Sequence, residues 1–499
     1  MKPCNNIPSF GRKFFVAVIL LSLFNVGCSK MSIESEYKKC NLYYSEKNFS
    51  EAFDYCKNAA EQGDSIAQYK LGAMYYNGQG VKQDYVEAFK WIQKSATSGN
   101  IFAQNILGEM YYFGRGVKKD YVESVKWLKK AADPDPEHEL GVDVGVIDAQ
   151  FHLGAMYYGG LGVQQDYFEA FKWFKKLADK GHVEAQYSVG NMYLNGEGVR
   201  QDYYEAVKWL EKAAEKGHSF AQNKLGRIYL ESKGNSYEQD EFGRIYIKQY
   251  GISRDYKEAA KWFRLAAEEG HWESQFYLGL MYRRGNGVIQ DSIQAAKWIR
   301  KSAEQGYEKA QLMLGYLLFT GEGVHQDYKE AAKWLQKAAK KEAEETKCNL
   351  GIKYDEDQKG DQDYVEAFRW LEIVATQGYV EAQSTVGTIY LNGEGVKQDY
   401  DEAFKWLKKA ADQDDAKAQF YLSQIYIKGN GVKKDVKEAV RLLRIAAENG
   451  SADAQLVLGS MYVLGEVVEK DYSLAREYFG KACDNKKQKG CEMYKEMSK

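Results

Sequence analysis

The chain has 499 residues, 44% of them apolar and 28% charged, which is ample for a folded protein. Its 69 basic and 71 acidic residues leave a net charge of −2, without the basic surplus that a scaffold for nucleic acid needs for phosphate contacts. Only four prolines occur, so long helices are permitted almost everywhere.

Residues 1–28 read as a signal rather than as fold. Lys2, Arg12 and Lys13 precede an apolar run of eleven residues, Phe14 to Phe24. That run is too short for an ordinary membrane span and suits a signal-peptide core. Its end, Asn25-Val26-Gly27-Cys28, resembles a bacterial lipoprotein signal, in which the cysteine becomes the lipidated first residue. Asn25 stands where such signals usually hold Leu. The resemblance implies export to the cell envelope or periplasm, as an outer-membrane lipoprotein anchored through lipid on Cys28. The alternative is ordinary secretion, with Cys28 an incidental thiol. Residues 29–35 form a linker.

Residues 36–66 read as a degenerate capping pair of helices. Asn48 and Glu51 take capping positions. Cys40 and Cys56 fall on facing helices and can bond in an exported protein; the alternative is two buried thiols.

From Ala67 to Asn485 one unit recurs. Tryptophans stand at 91, 127, 173, 209, 262, 298, 334, 370 and 406, 36 residues apart except for steps of 46 and 53. Tyr55, Leu442 and Tyr478 continue the phase, giving about twelve copies and the signature of a solenoid. In the copy at Ala185–Phe220, Ala185, Val189, Met192 and Tyr193 form an apolar stripe of helical period. Gly190 interrupts good helix formers at a cost of roughly 1 kcal/mol, and close approach of the neighbouring helix is the expected reason. Gly196 and Gly198 follow the helix and end it. Asp202 and Glu205 are spaced as a reciprocal capping box, repeated as far as Asp363/Glu366 and Asp435/Glu438. Tyr203, Ala206, Val207, Leu210, Ala213 and Ala214 then form the buried stripe of a second helix, with Trp209 beside it in the core.

This pattern, A-Q-x-x-(L/V)-G-x-M-Y-x-x-G-x-G-V-x-x-D-Y-x-E-A-x-K-W-x-x-K-A-A, resembles the Sel-one-like repeat, a relative of the tetratricopeptide repeat. The resemblance implies an all-α fold, a right-handed α-α superhelical solenoid of about twelve helix pairs used as an interaction scaffold. First helices line the inner surface in related superhelices. The places that vary freely among these copies would then bind other proteins or peptides: Glu109, Asn191, Arg227 and Tyr316, with Leu280, Thr388 and Gln424 in the same register, and Asn105 and Phe276 one turn back. Cys483 and Cys491, in the tail that closes the last copy, resemble the paired cysteines of the family's cysteine-rich exported branch. Residues 486–499 are a terminal cap.

Two insertions and one weak copy break the regularity. The first insertion is 133–147, where Pro134 and Pro136 forbid a continued helix. The second, 232–253, lengthens the loop inside a pair and carries Tyr237, Phe242, Tyr246 and Tyr250. The weak copy, 347–363, reads as a soft point or bend. No cofactor or metal site is expected: the Gly-x-Gly loops lack the remainder of a nucleotide motif, and His182, His218 and His271 recur one per unit, which suits helix junctions. The chain is read as no enzyme. The alternative function, binding or hydrolysis of β-lactams or cell-wall peptides, has Ser35-Glu36-Tyr37-Lys38 as its S-x-x-K, without a K-T-G.

Overall fold

The computed structural model describes residues 35–133, 143–231, 236–239, 245–248, 254–339, 362–465 and 467–497. The signal region, most of both insertions and nearly all of the weak copy lie outside them, Cys28 included. Two compact units emerge. The N-terminal unit runs to Leu225 and takes in 232–253; the C-terminal unit comprises Gly226–Glu231 and the chain from Arg254 onward.

Both units are stacks of antiparallel helix pairs, an α-α solenoid. The pair Val183–Asn195 and Tyr203–Glu215 shows how the sequence makes one. His182 is the first N-cap: its Nδ1 accepts the Ala185 N–H at 3.2 Å. Gly196 closes the helix in the left-handed conformation. Two residues on, Gly198 also has positive φ, and a Cβ there would collide with the Tyr167 carbonyl of the preceding pair. That glycine therefore locks one repeat onto the last. Asp202 then caps the second helix by accepting the Glu205 N–H at 3.0 Å.

The expected close approach at Gly190 is present: a Cβ would lie 2.8 Å from Leu210 Cγ. Gly108 meets Leu128 and Gly387 meets Leu407 at 2.7 Å in the same way. In the helix Ala416–Lys428 the place is taken by Ser423, whose Oγ turns back to the Phe420 carbonyl at 2.6 Å. One repeat has thus adjusted around a small side chain.

Tryptophans seal the junction with the preceding repeat. Trp209 is buried among Phe174, Leu177, Val189 and Met192, and the Lys212 ammonium covers its outer face at 3.8 Å. Trp127, Trp262, Trp370 and Trp406 are buried as expected, whereas Trp91, Trp173, Trp298 and Trp334 are half-buried. A second seam was not foreseen. The Gln of nearly every A-Q is buried and donates to a carbonyl at the end of the previous second helix, as Gln186 does to Ala178 at 3.2 Å. In the C-terminal unit the next repeat completes that amide: Gln305 donates to Gln275 Oε1 and Gln413 to Gln383 Oε1, both at 2.8 Å.

Several expectations need correction. The capping box is one-sided: the Asp202 N–H donates to the Tyr193 carbonyl, so Glu205 is released to pair with Lys208 at 3.0 Å. Asp363 stands in the first turn of its helix, Gln362–Thr376. Tyr203 is half-buried, since its hydroxyl reaches the loop and accepts from Gln201 at 2.8 Å. The end of the first insertion is helical: the next helix spans Asp143–Gly159, a turn longer than its sisters, and Gly145 seats it against Phe102. The second insertion holds a two-stranded antiparallel ladder, Ser236–Gln239 with Ile245–Lys248, pairing Tyr237 with Ile247 and Glu238 with Tyr246.

At the weak copy the alternation of layers changes. Elsewhere a first helix separates consecutive second helices. Here the second helix Tyr328–Ala338 packs directly on the second helix Gln362–Thr376. The largest core of the C-terminal unit surrounds this junction, from Leu312 through Phe319 to Phe368 and Val374.

Candidate interaction face on the first helices

The variable first-helix residues occupy two registers one turn apart, Asn105 and Phe276 in the earlier one and Glu109, Asn191, Arg227 and Tyr316 in the later, and they do not share one kind of environment. In the N-terminal unit, Asn105 is 5% exposed and donates to Glu109 at 3.4 Å. Glu109 lies 3.7 Å from the His152 ring. Burial raises the Glu109 carboxyl above the usual range and lowers His152 below it, so both groups lean toward their neutral forms. Asn191 is half-buried on its own helix, apart from that pair.

The C-terminal unit presents a larger constellation. Arg227 reaches Glu231 at 3.1 Å and Glu273 at 3.5 Å. Phe276, 7% exposed, sits edge-on to Tyr307 with ring centres 5.3 Å apart. Tyr316 lies 5.2 Å beneath the Arg283 guanidinium, which makes a two-pronged ion pair with Glu322 at 2.8 Å. Burial raises the Tyr316 hydroxyl, pushes Tyr307 up to about 12 and lowers Lys417. The arrangement is one of ring packing and ion pairs.

Phe276, Leu280 and Tyr316 converge on a cavity of about 190 Å³. Leu312 and Met313 complete its first-helix wall, Leu371 and Val374 its floor, and Tyr379 its far side. Lys309 and Glu381 stand on its lining as one cation and one anion. Leu371 and Val374 reach it from the second helix that packs on Tyr328–Ala338. In other repeats the counterparts of Leu371, such as Leu210, press on a glycine of their own first helix; the glycine in that register here, Gly351, lies outside the described residues.

Sequence reading had brought Phe276 and Tyr316 to one face without showing that they share a cavity. It missed Leu312, Met313, Leu371 and Val374. A signal existed: Glu308–Thr320 is apolar on nearly every side, which marks a helix buried all round. The three recurring histidines are caps, with His218 and His271 accepting N–H groups at 3.1 and 3.2 Å. Ser35 is exposed on the first described helix. Among the described residues no cluster of metal-ligating side chains occurs, and no helix is long and apolar enough to cross a membrane.

The Sel1 repeat pattern matches thirteen segments, from 42–64 to 452–487. The chain belongs to the Sel1 repeat family. The matches 219–241 and 243–271 are the two halves of one pair, parted by the hairpin insertion, which reconciles thirteen segments with twelve repeats. The first match falls inside the degenerate N-terminal pair. Similar solved structures include c5321, a protective antigen present in uropathogenic Escherichia coli strains displaying an SLR fold. It is 34% identical over 89% of this chain and 90% of its own, with a TM-score of 0.59. A Sel1 repeat protein from Oxalobacter formigenes is 27% identical over 76% and 93%, with a TM-score of 0.39. No curated protein matches the chain. Sel1 repeat proteins are generally protein-interaction scaffolds without catalysis of their own.

Proposed function

We propose that this Sel1 repeat chain is an exported adaptor that holds other proteins at the bacterial envelope through its first-helix faces. The observation that carries the reading is the cavity bounded by Phe276 and Tyr316, which is apolar, about 190 Å³ in volume and edged by fixed charges. It suits one bulky side chain of a docked peptide or helix, the usual anchor of such recognition. Export rests on the signal-like first 28 residues, with lipid on Cys28 as the anchor. Disulfides that join Cys40 to Cys56 and Cys483 to Cys491 close both ends of the stack and suit an oxidising compartment. The resemblance to a protective antigen of uropathogenic strains supports contact with a host.

A photo-crosslinking residue at Leu312 should trap envelope proteins, and Met313→Trp, which fills the cavity, should abolish the adduct. Equal trapping by the filled variant would refute the assignment. Palmitate labelling lost on Cys28→Ser would establish the anchor, and labelling that persists would contradict it.

A further inference from the structure

A second surface lies on the other helices, in the N-terminal unit. The second residue of nearly every second helix is exposed, yet in four consecutive repeats it is apolar. Val86 is 54% exposed, Val122 64%, Phe168 58% and Tyr204 75%. In the C-terminal unit the same place holds mostly charge, as Lys257, Lys329, Asp401 and Lys437, with Ile293 and Val365 between. At this exposure little of each side chain is buried, apart from the Lys172 ammonium 4.7 Å over the Phe168 ring, so core packing does not account for the apolar choice. The four stand on successive rungs of one edge: Gly116, Gly162 and Gly198 each seat the next repeat on the carbonyl just before Val86, Val122 and Phe168.

The order of the four is informative. Two valines precede two aromatics. A second copy laid antiparallel across the row pairs Val86 with Tyr204 and Val122 with Phe168, a small side chain against a large one each time. A parallel copy would set valine on valine and ring on ring. Charge follows the same rule. In the second repeat Lys118, Lys119 and Lys126 outnumber Asp120 and Glu123, leaving one positive charge. In the third, Asp166 and Glu169 outnumber Lys172, leaving one negative charge. The first and fourth repeats balance at this edge: Lys82 and Lys90 offset Asp84 and Glu87, and Arg200 and Lys208 offset Asp202 and Glu205. Under a two-fold axis the positive repeat faces the negative one and the neutral repeats face each other. Self-complementarity of this kind is what an isologous interface requires.

We infer that this edge is a homodimer surface whose partner is a second copy of the chain, antiparallel, centred between Val122 and Phe168. Four side chains bury well under the roughly 800 Å² per partner of a standard interface, so the free dissociation constant is on the order of 100 µM. Confinement of both copies to one membrane would raise the dimeric fraction.

Sedimentation of the full chain should show concentration-dependent dimerisation that Phe168→Asp weakens roughly tenfold. Lys119→Glu should weaken it as well, and adding Glu169→Lys should restore it. Oxidation of the Val86→Cys, Tyr204→Cys double variant should yield an intermolecular 86–204 bond by mass spectrometry, with neither 86–86 nor 204–204. A chain that stays monomeric at millimolar concentration, a dimer indifferent to Phe168→Asp, or 86–86 bonds would each overturn the proposal. All the substituted side chains are exposed or half-buried, and unchanged thermal melts would show that the fold is intact.

Discussion

Replacing Gly190 by Ala sets two known quantities against each other. Alanine improves helix propensity by about 1 kcal/mol. Its methyl carbon would lie 2.8 Å from Leu210 Cγ, 3.0 Å from Leu210 Cδ2 and 3.2 Å from the Ala206 carbonyl. Leu210 is fully buried, and forcing a methyl into a packed core costs about 1–3 kcal/mol. The net expectation is a loss on the order of 1 kcal/mol, confined to this repeat and its neighbours. Leu210→Ala alone should cost about 2–5 kcal/mol. In the double variant the new methyl takes part of the space that Leu210 vacates, so the pair should cost about 1 kcal/mol or more less than the sum. Native-state hydrogen exchange on the amides of Val183–Asn195, compared across the four proteins, reads these differences locally. Strict additivity, or a Gly190→Ala protein more stable by the full propensity gain, would show that the glycine is not there for close packing.

Other outcomes follow from the same geometry. Trp209→Ala should destabilise its junction by about 3–5 kcal/mol, seen as faster exchange in the helices on both sides and not at the ends of the chain. Glu372 is 2% exposed, and burial pushes its carboxyl from 4.5 up to about 7 despite the 2.6 Å hydrogen bond donated by Tyr390. Its contribution is therefore fully present below pH 4.5 and lost as pH rises through 7, a change of about 3 kcal/mol at most. Urea unfolding of the C-terminal unit at pH 5 and pH 8 should show that slope, and Glu372→Gln should flatten it. His218 and His271 are lowered by burial and accept N–H groups as neutral rings, so their capping is present above the ordinary histidine range and lost as pH falls below it. His218→Asn should remove that acid sensitivity from the helix Ser219–Glu231. Joining Cys40 to Cys56 closes a short loop, and Cys56→Ser should cost the N-terminal pair about 3 kcal/mol in the oxidised chain.

The repeat was legible because its physics is local. A glycine twenty residues before a large apolar residue and an Asp cap each fix geometry within one pair, and most copies repeat them. What the residues did not disclose is where neighbours decide the outcome. The Glu205 of the capping motif reads as reciprocal in sequence, but the Asp202 N–H is already taken by Tyr193, a residue of the preceding helix. The amide seam through Gln275 and Gln305 depends on a contact thirty residues away that no helical period announces. The face on the first helices was only half visible for the same reason. Phe276 and Tyr316 stand out by their variability, whereas Leu371 and Val374 line the cavity from a second helix whose contact with the second helix before it no helical period announces.

The account depends most on the first-helix face being where a partner lies. Hydrogen exchange of the full chain, free and bound to the protein trapped through Leu312, is the direct measurement. Slowed exchange concentrated in Trp272–Arg284, Glu308–Thr320 and Val380–Asn392, and absent from the Met313→Trp chain, is the predicted result. Protection confined to the second helices, or unchanged by filling the cavity, would contradict it.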